Sequence, residues 1–254
     1  MSCLEVKNVS KSFSGIKAVQ NVSLKAERGK IVSMIGPNGA GKTTTFNLIT
    51  GIYPIDGGEI TLDGVSLVGK PQHAISLMGV GRTFQNIRLF QGMSVIQNVM
   101  TGYDPRLTYN LFDGMLCTPR RRRMDRESLE RSMAALEIAG IADYAQENPS
   151  KLPYGLQRKL EIARALVTQP KLLLLDEPGA GLNPAEVTDL IRLIRRLQET
   201  MDLAILMIDH RMKLIMELSE YIYVLNFGTM LAEGTPAQIQ QNDEVNRAYM
   251  GEEG

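Results

Sequence analysis

Ile31-Val32-Ser33-Met34-Ile35-Gly36-Pro37-Asn38-Gly39-Ala40-Gly41-Lys42-Thr43 decides how the rest of the chain is read. The first five residues are almost fully apolar, the mark of a strand buried on both faces. The next eight fit G-x-x-x-x-G-K-[ST], and a helical stretch from about Lys42 to Thr50 follows, with Gly51 placed to stop it. Strand, glycine-rich turn and helix in this order make a phosphate cradle. The glycines let the backbone wrap an anionic chain with its N–H groups turned inward, and the helix adds the positive end of its dipole. Gly36, Pro37, Asn38, Gly39, Ala40, Gly41, Lys42, Thr43 and Thr44 are the candidate nucleotide-binding residues. Lys42 is placed to reach the β- and γ-phosphates of ATP, and the Thr43 hydroxyl to hold Mg2+.

Such a cradle needs an acid at the end of a neighbouring buried strand. Leu172-Leu173-Leu174-Leu175-Asp176-Glu177-Pro178 supplies it. Asp176 is the candidate metal ligand. Glu177 follows at the strand end, where a carboxylate can orient and polarise an attacking water.

Outward from these motifs, Leu4-Glu5-Val6 and Val22-Ser23-Leu24-Lys25 alternate as half-exposed strands, and Gly58 to Leu67 reads as a hairpin across Asp63-Gly64. After about Asn86 the chain turns Met- and Arg-rich. A helix is expected from Met124 to Ala139, with Leu129, Met133, Leu136 and Ile138 on its apolar side and the arginines Arg120 to Arg123 just ahead of it. That arginine run reads as a solvated approach, with docking on a partner or on lipid headgroups as the alternative. The α/β pattern then resumes. Asn183 and Pro184 open a helix whose stripe is Val187, Leu190, Ile191, Ile194 and Leu197. Leu203 to Ile208 is another buried strand, and Tyr221 to Leu225 pairs with Met230-Leu231 across Asn226-Phe227-Gly228. A short helical tail begins at Thr235-Pro236.

The chain has 254 residues, 28 Lys+Arg against 28 Asp+Glu, and 6% aromatics with no Trp, a balance that argues against nucleic acid as a partner. Cys3 and Cys117 are too far apart in sequence for a metal-ligand spacing and suit a reducing compartment. No apolar run reaches the roughly 18–20 residues that a membrane span needs.

With both phosphate-site motifs in place, the chain resembles the ATP-binding cassette (ABC) ATPases along nearly its whole length. The resemblance implies an α/β fold of the P-loop NTPase, ABC type: a mixed sheet core, an N-terminal antiparallel β subdomain and an inserted helical lobe. The whole chain, 1–254, is then one ABC ATPase domain, with the lobe at 86–160. Phe13 matches the aromatic that stacks on adenine in that family. Gln85, in Arg82-Thr83-Phe84-Gln85-Asn86, matches the glutamine that joins core to lobe and reaches Mg2+ and the water, and His210 matches the switch histidine at the γ-phosphate. The catalytic set implied is Glu177, His210 and Gln85, and the metal set is Thr43, Gln85 and Asp176.

The family signature, usually Leu-Ser-Gly-Gly-Gln, aligns with Leu152-Pro153-Tyr154-Gly155-Leu156 and departs from it. Pro153 brings neither hydroxyl nor N–H. Placed at the first position of a helix, however, it leaves the amides of Tyr154 and Gly155 to face the phosphate of an ATP held by a second subunit. Gly81-Arg82-Thr83-Phe84-Gln85, Arg88-Leu89-Phe90, Leu152-Pro153-Tyr154-Gly155, Glu161-Ile162-Ala163-Arg164 and the ending Arg247 to Gly251 are similar to the subgroup that energises bacterial branched-chain amino-acid importers. Urea and amide importers are the nearest alternative. The partners implied are transmembrane permease subunits, a second ATP-binding subunit and, indirectly, a periplasmic or lipid-anchored solute-binding protein. The place implied is the cytoplasmic face of the bacterial plasma membrane, as a peripheral protein. The segment Asn86 to Val99, with Leu89 and Phe90, is the expected permease contact. A soluble cassette acting on DNA or ribosomes fits less well, because Gln85 to Leu152 is too short to hold a long coiled coil.

Overall fold

The structure, a computed structural model, describes residues 2–106 and 118–250, so Cys117 and Gly251 lie outside the described residues. Among these the strands form two sheets. The four-stranded sheet has the order β2-β1-β4-β5, from β1 (Ser2–Phe13), β2 (Ile16–Glu27), β4 (Gly57–Leu62) and β5 (Val65–Ser66), and its recorded pairings are antiparallel. β1 and β2 are far longer than their alternating segments promised. Their register shifts at bulges, and Asn8 (φ 48°) and Asn21 (φ 49°) are the left-handed residues there, a conformation asparagine tolerates.

The six-stranded sheet runs β10-β9-β3-β8-β7-β6: β3 (Ile31–Ile35), β6 (Val80–Arg82), β7 (Leu172–Asp176), β8 (Ala204–Ile208), β9 (Tyr221–Asn226) and β10 (Thr229–Gly234). Its pairings are parallel except for antiparallel β10 at the edge. The apolar runs behave as doubly buried strands should. Leu172 and Leu174 enter the core shared with the antiparallel sheet and Phe46, while Leu173 and Leu175 enter the core on the opposite face. That second core is closed by α6 (Pro184–Thr200), which inserts its expected stripe plus Leu193. Each such side chain contributes roughly 1.5–3 kcal/mol on leaving water.

The remaining helices are α1 (Lys42–Ile49), α2 (Gln72–Leu77), α3 (Val95–Tyr103), α4 (Pro119–Ala139), α5 (Tyr154–Leu166), α7 (Met212–Leu218), α8 (Pro236–Gln240) and α9 (Asp243–Met250). A third core joins α3, α4 and α5. A lobe ending at residue 160 would cut α5, whose Leu160 and Ala163 belong to this third core while Ile162 and Leu166 belong to the second.

Two expectations for α4 are corrected. The arginines Arg120 to Arg123 lie inside its first turns, since Thr118 caps it and Pro119 is its first residue. Of its expected apolar side, Leu136 is buried and Met133 and Ile138 pack partly buried against the cores, but Leu129 is exposed, and Ser128, Ser132, Ala135 and Ala139 are buried in addition.

Candidate active site

The glycine-rich turn has the backbone its sequence calls for. Gly36 has φ 148°, and a Cβ there would stand 2.0 Å from the Leu225 carbonyl oxygen; at Gly41, φ 99°, it would stand 2.5 Å from that of Ala18. Gly41 is the N-cap of α1 and brings no side-chain cap, so the first amides of the helix open to the turn. The Lys42 Nζ is folded back, donating to the carbonyls of Gly36 at 2.6 Å and Pro37 at 2.8 Å.

Sheet register brings the acid to this turn. Asp176 pairs with Ile208, and Ile208 with Met34, so the ends of β7, β8 and β3 form one row, with the turn beginning two residues beyond Met34. Asp176 is buried and burial pushes its carboxyl up, opposed by Arg82, whose Nη2 donates to Oδ2 at 2.9 Å. The same guanidinium donates to Asn47 Oδ1 (2.8 Å) and Thr50 Oγ1 (2.9 Å) at the far end of α1.

The three expected catalytic side chains meet. Glu177 takes the left-handed conformation, φ 45°, as the chain leaves β7. Gln85 Nε2 donates to Glu177 Oε2 at 2.8 Å, and His210 Nδ1 lies 3.7 Å from the same oxygen. Behind them, buried Asp209 stitches two loops together by accepting from the amides of Gly179 (2.8 Å) and Arg211 (2.9 Å). Phe13 stands apart from this group on the antiparallel sheet, partly exposed and edge-on to Tyr53 with ring centres 5.0 Å apart.

The signature loop differs from its reading in two ways. Pro153 is the N-cap of α5, one residue ahead of the expected first helical position, because its extended ψ of 150° keeps it outside the helix. The Gly155 amide is already engaged, donating to Glu186 Oε1 at 3.3 Å. Glu186 Oε2 accepts from the Asn183 amide, completing the capping box of α6, so one carboxylate ties both helix starts. A Cβ at Gly155 would stand 2.8 Å from this carboxylate, and one at Gly181 would meet the Tyr154 ring.

Sequence reasoning passed over Arg82, Asp209, Arg158, Glu161 and Glu186. Glu186 was legible as the third residue after the Asn183 cap. Asp209 and Arg82 were visible as charges at the ends of apolar strands, and Arg158 and Glu161 as an i,i+3 pair on an otherwise apolar helix face.

Comparison with known proteins agrees with this geometry. Residues 19–180 match the ABC transporter family model, and residues 229–254 match that of the branched-chain amino acid ATP-binding cassette transporters. The high-affinity branched-chain amino acid transport ATP-binding protein LivG of Escherichia coli K12 is 50% identical, with 98% of each chain covered. BraF of Pseudomonas aeruginosa, of the same description, is 47% identical over the same shares. Among solved structures, the ADP conformation of MJ1267, an ATP-binding cassette of an ABC transporter, superposes with a TM-score of 0.86 at 27% identity, covering 99% of both chains. A cradle for phosphates, an acid row beside it and two close relatives of full length converge on one conclusion: the chain belongs to the ABC transporter family, as its ATP-binding ATPase subunit.

Proposed function

We propose that this subunit hydrolyses ATP to drive the import of branched-chain amino acids through a membrane permease. The observation that carries the ATPase chemistry is the convergence of Gln85 and His210 on one oxygen of Glu177, beside the glycine turn. Glu177 orients the attacking water, and Gln85 and His210 hold the carboxylate and the γ-phosphate in place. Lys42 exchanges its two backbone carbonyls for phosphate oxygens, and the amides of residues 38 to 44 wrap the phosphate chain. Phosphoryl transfer asks mostly for such positioning and for charge neutralisation. Phe13 stacks on the base, with Tyr53 behind it.

The donor set suits Mg2+. The Thr43 hydroxyl, the Asp176 carboxylate and the Gln85 amide oxygen, whose partner nitrogen is committed to Glu177, are all hard oxygen ligands. Among the described residues no three or more His, Cys, Asp or Glu side chains cluster as a metal cage; a cation held by these oxygens would take its other ligands from phosphate and water, as magnesium prefers. When bound, it neutralises developing phosphate charge.

The working unit is two cassettes, each signature loop closing on the other's nucleotide, seated on permease subunits at the cytoplasmic face of the membrane. Among the described residues no helix is long and apolar enough to cross a bilayer, and the reading places contact with the membrane on the permease partners. The permease sits on the lobe formed by α3, α4 and the start of α5. A cleft of about 390 Å³, where the ends of α3 and α5 meet β6, is lined in part by Phe84, Arg88 and half-exposed Phe90. The solute is assigned from the likeness to LivG and BraF.

Reconstitution with the copurifying permease in vesicles tests the reading. Glu177→Gln is expected to keep ATP binding and to lose hydrolysis and leucine uptake by at least about 100-fold. Near-normal turnover in that variant would remove the role given to Glu177, and uptake of urea in place of leucine, isoleucine and valine would move the assignment to amide importers.

A further inference from the structure

Arg158 and Glu161 form an ion pair of 2.7 Å on α5 with side chains 0% and 1% exposed. Taking two charges out of water costs several kcal/mol per ion, and an apolar pair of equal volume is commonly as stable or more so. The pair is not even fully satisfied, since the buried Arg158 Nε has no hydrogen-bond partner. Burial also pushes the Glu161 carboxyl up in spite of its partner. Stability alone therefore does not account for these charges.

Their other contacts do. Arg158 Nη1 donates to the Phe84 carbonyl at 2.9 Å and Nη2 to the Gln85 carbonyl at 3.0 Å, while Glu161 Oε1 accepts from the Phe84 amide at 3.1 Å. This is where the chain leaves the sheet. Thr83 still donates to the Leu174 carbonyl, but β6 ends at Arg82 and strand pairing goes no further. The side-chain pair thus replaces a neighbouring strand for the two residues before Gln85 reaches toward Glu177. Arg158 lies one turn from Tyr154 and Gly155 on the same helix.

We propose that Arg158 and Glu161 are positioning residues: they clamp the Phe84–Gln85 backbone to the helix that carries the signature loop, so that approach of that loop to a nucleotide and delivery of Gln85 to Glu177 are one movement. The proposal rests on the role given above to Gln85.

The test combines three variants of the full-length chain: the apolar double variant Arg158→Met with Glu161→Leu, which leaves no unpaired buried charge; Arg158→Lys, which keeps the charge but cannot fork across two carbonyls; and Gln85→Ala. The double variant is expected to stay folded, to bind ATP with affinity within about twofold, and to lose kcat by about ten- to a hundredfold, the scale of a small misplacement. Arg158→Lys falls between it and the parent, and decides the matter alone if the double variant does not fold. Because the pair acts through Gln85, adding Gln85→Ala to the double variant is expected to cost nothing beyond Gln85→Ala alone. Parental kcat in the folded double variant or in Arg158→Lys, or additive losses in the triple variant, would overturn the clamp. Parental kcat in Gln85→Ala would instead overturn the reading of Gln85 on which it stands.

Discussion

At the scale of single residues, the site depends on charges that the sequence motif does not contain. Arg82 is the example: it spans from α1 to Asp176, and its guanidinium lies 5.0 Å from the Phe84 ring centre and 5.7 Å from that of Phe46. Arg82→Met removes one partner of a buried pair and leaves Asp176 unpaired, a change that costs about 3–5 kcal/mol. A correspondingly lower urea midpoint checks it, and an unchanged midpoint would mean that Asp176 finds another donor. Cys3 gives a pH-dependent counterpart. It is buried, donates to the Lys171 carbonyl at 3.4 Å, and burial with the nearby Asp63 charge pushes its thiol up to about 11. The folded state therefore holds the proton more tightly than the unfolded chain, whose thiol titrates near 9. The stability this gives is complete below the unfolded value and is lost as pH rises from there to the folded one. Alkylation of Cys3, read by peptide mass mapping at pH 8, is expected to be about a hundredfold slower in the folded chain than in urea.

At the scale of elements, legibility followed periodicity and failed where packing distance rules. The buried strands could be read from short continuous apolar runs next to turn signals, and the stripe of α6 from its 3.6-residue period. The Asn183 cap, the Asp63-Gly64 hairpin and the Thr235-Pro236 helix start were read from local backbone chemistry and stand as expected. The face of α4 could be read this way only in part: Met133, Leu136 and Ile138 pack inward, but Leu129 does not. A helix that packs closely presents small side chains, and a hydrophobicity pattern ranks Ser128 and Ser132 as solvent-facing. The signature loop was legible only as a departure: nothing local to Pro153-Tyr154-Gly155 announces a carboxylate arriving from α6. The α4 face carries its own prediction. The hydroxyls of Ser128 and Ser132 are buried without a partner, and an unsatisfied buried polar group costs about 1–3 kcal/mol. Ser132→Ala is expected to raise stability by roughly 1 kcal/mol, seen as a higher denaturant midpoint at constant slope. A loss instead would show that the hydroxyl is satisfied by bound water.

At the scale of the molecule, the two sheets and the helical cluster place the proposed nucleotide contacts at strand ends, in loops and at helix starts, with the phosphate cradle between β3 and α1 and the signature loop at the start of α5. In the proposed working unit, the signature loop of a second copy or a homologous cassette completes the enclosure of the nucleotide. This has a thermodynamic signature. A ligand that binds only the folded state adds about 2.7 kcal/mol at a hundred times its Kd, and for a chain near this size each kcal/mol raises Tm by roughly 2–4 °C. Saturating MgATP is therefore expected to raise the Tm of the Glu177→Gln variant by about 5–10 °C. With the proposed pair as the enclosed state, that increment is expected to grow with protein concentration, whereas the Tm without nucleotide is not. Lys42→Ala removes the increment by weakening the cradle, and chelation of magnesium reduces it by exposing the phosphates to mutual repulsion. An ATP-induced shift of the same size at every protein concentration would mean that each chain closes on its nucleotide alone, and that the Glu186-capped signature loop takes no part in a second subunit's site.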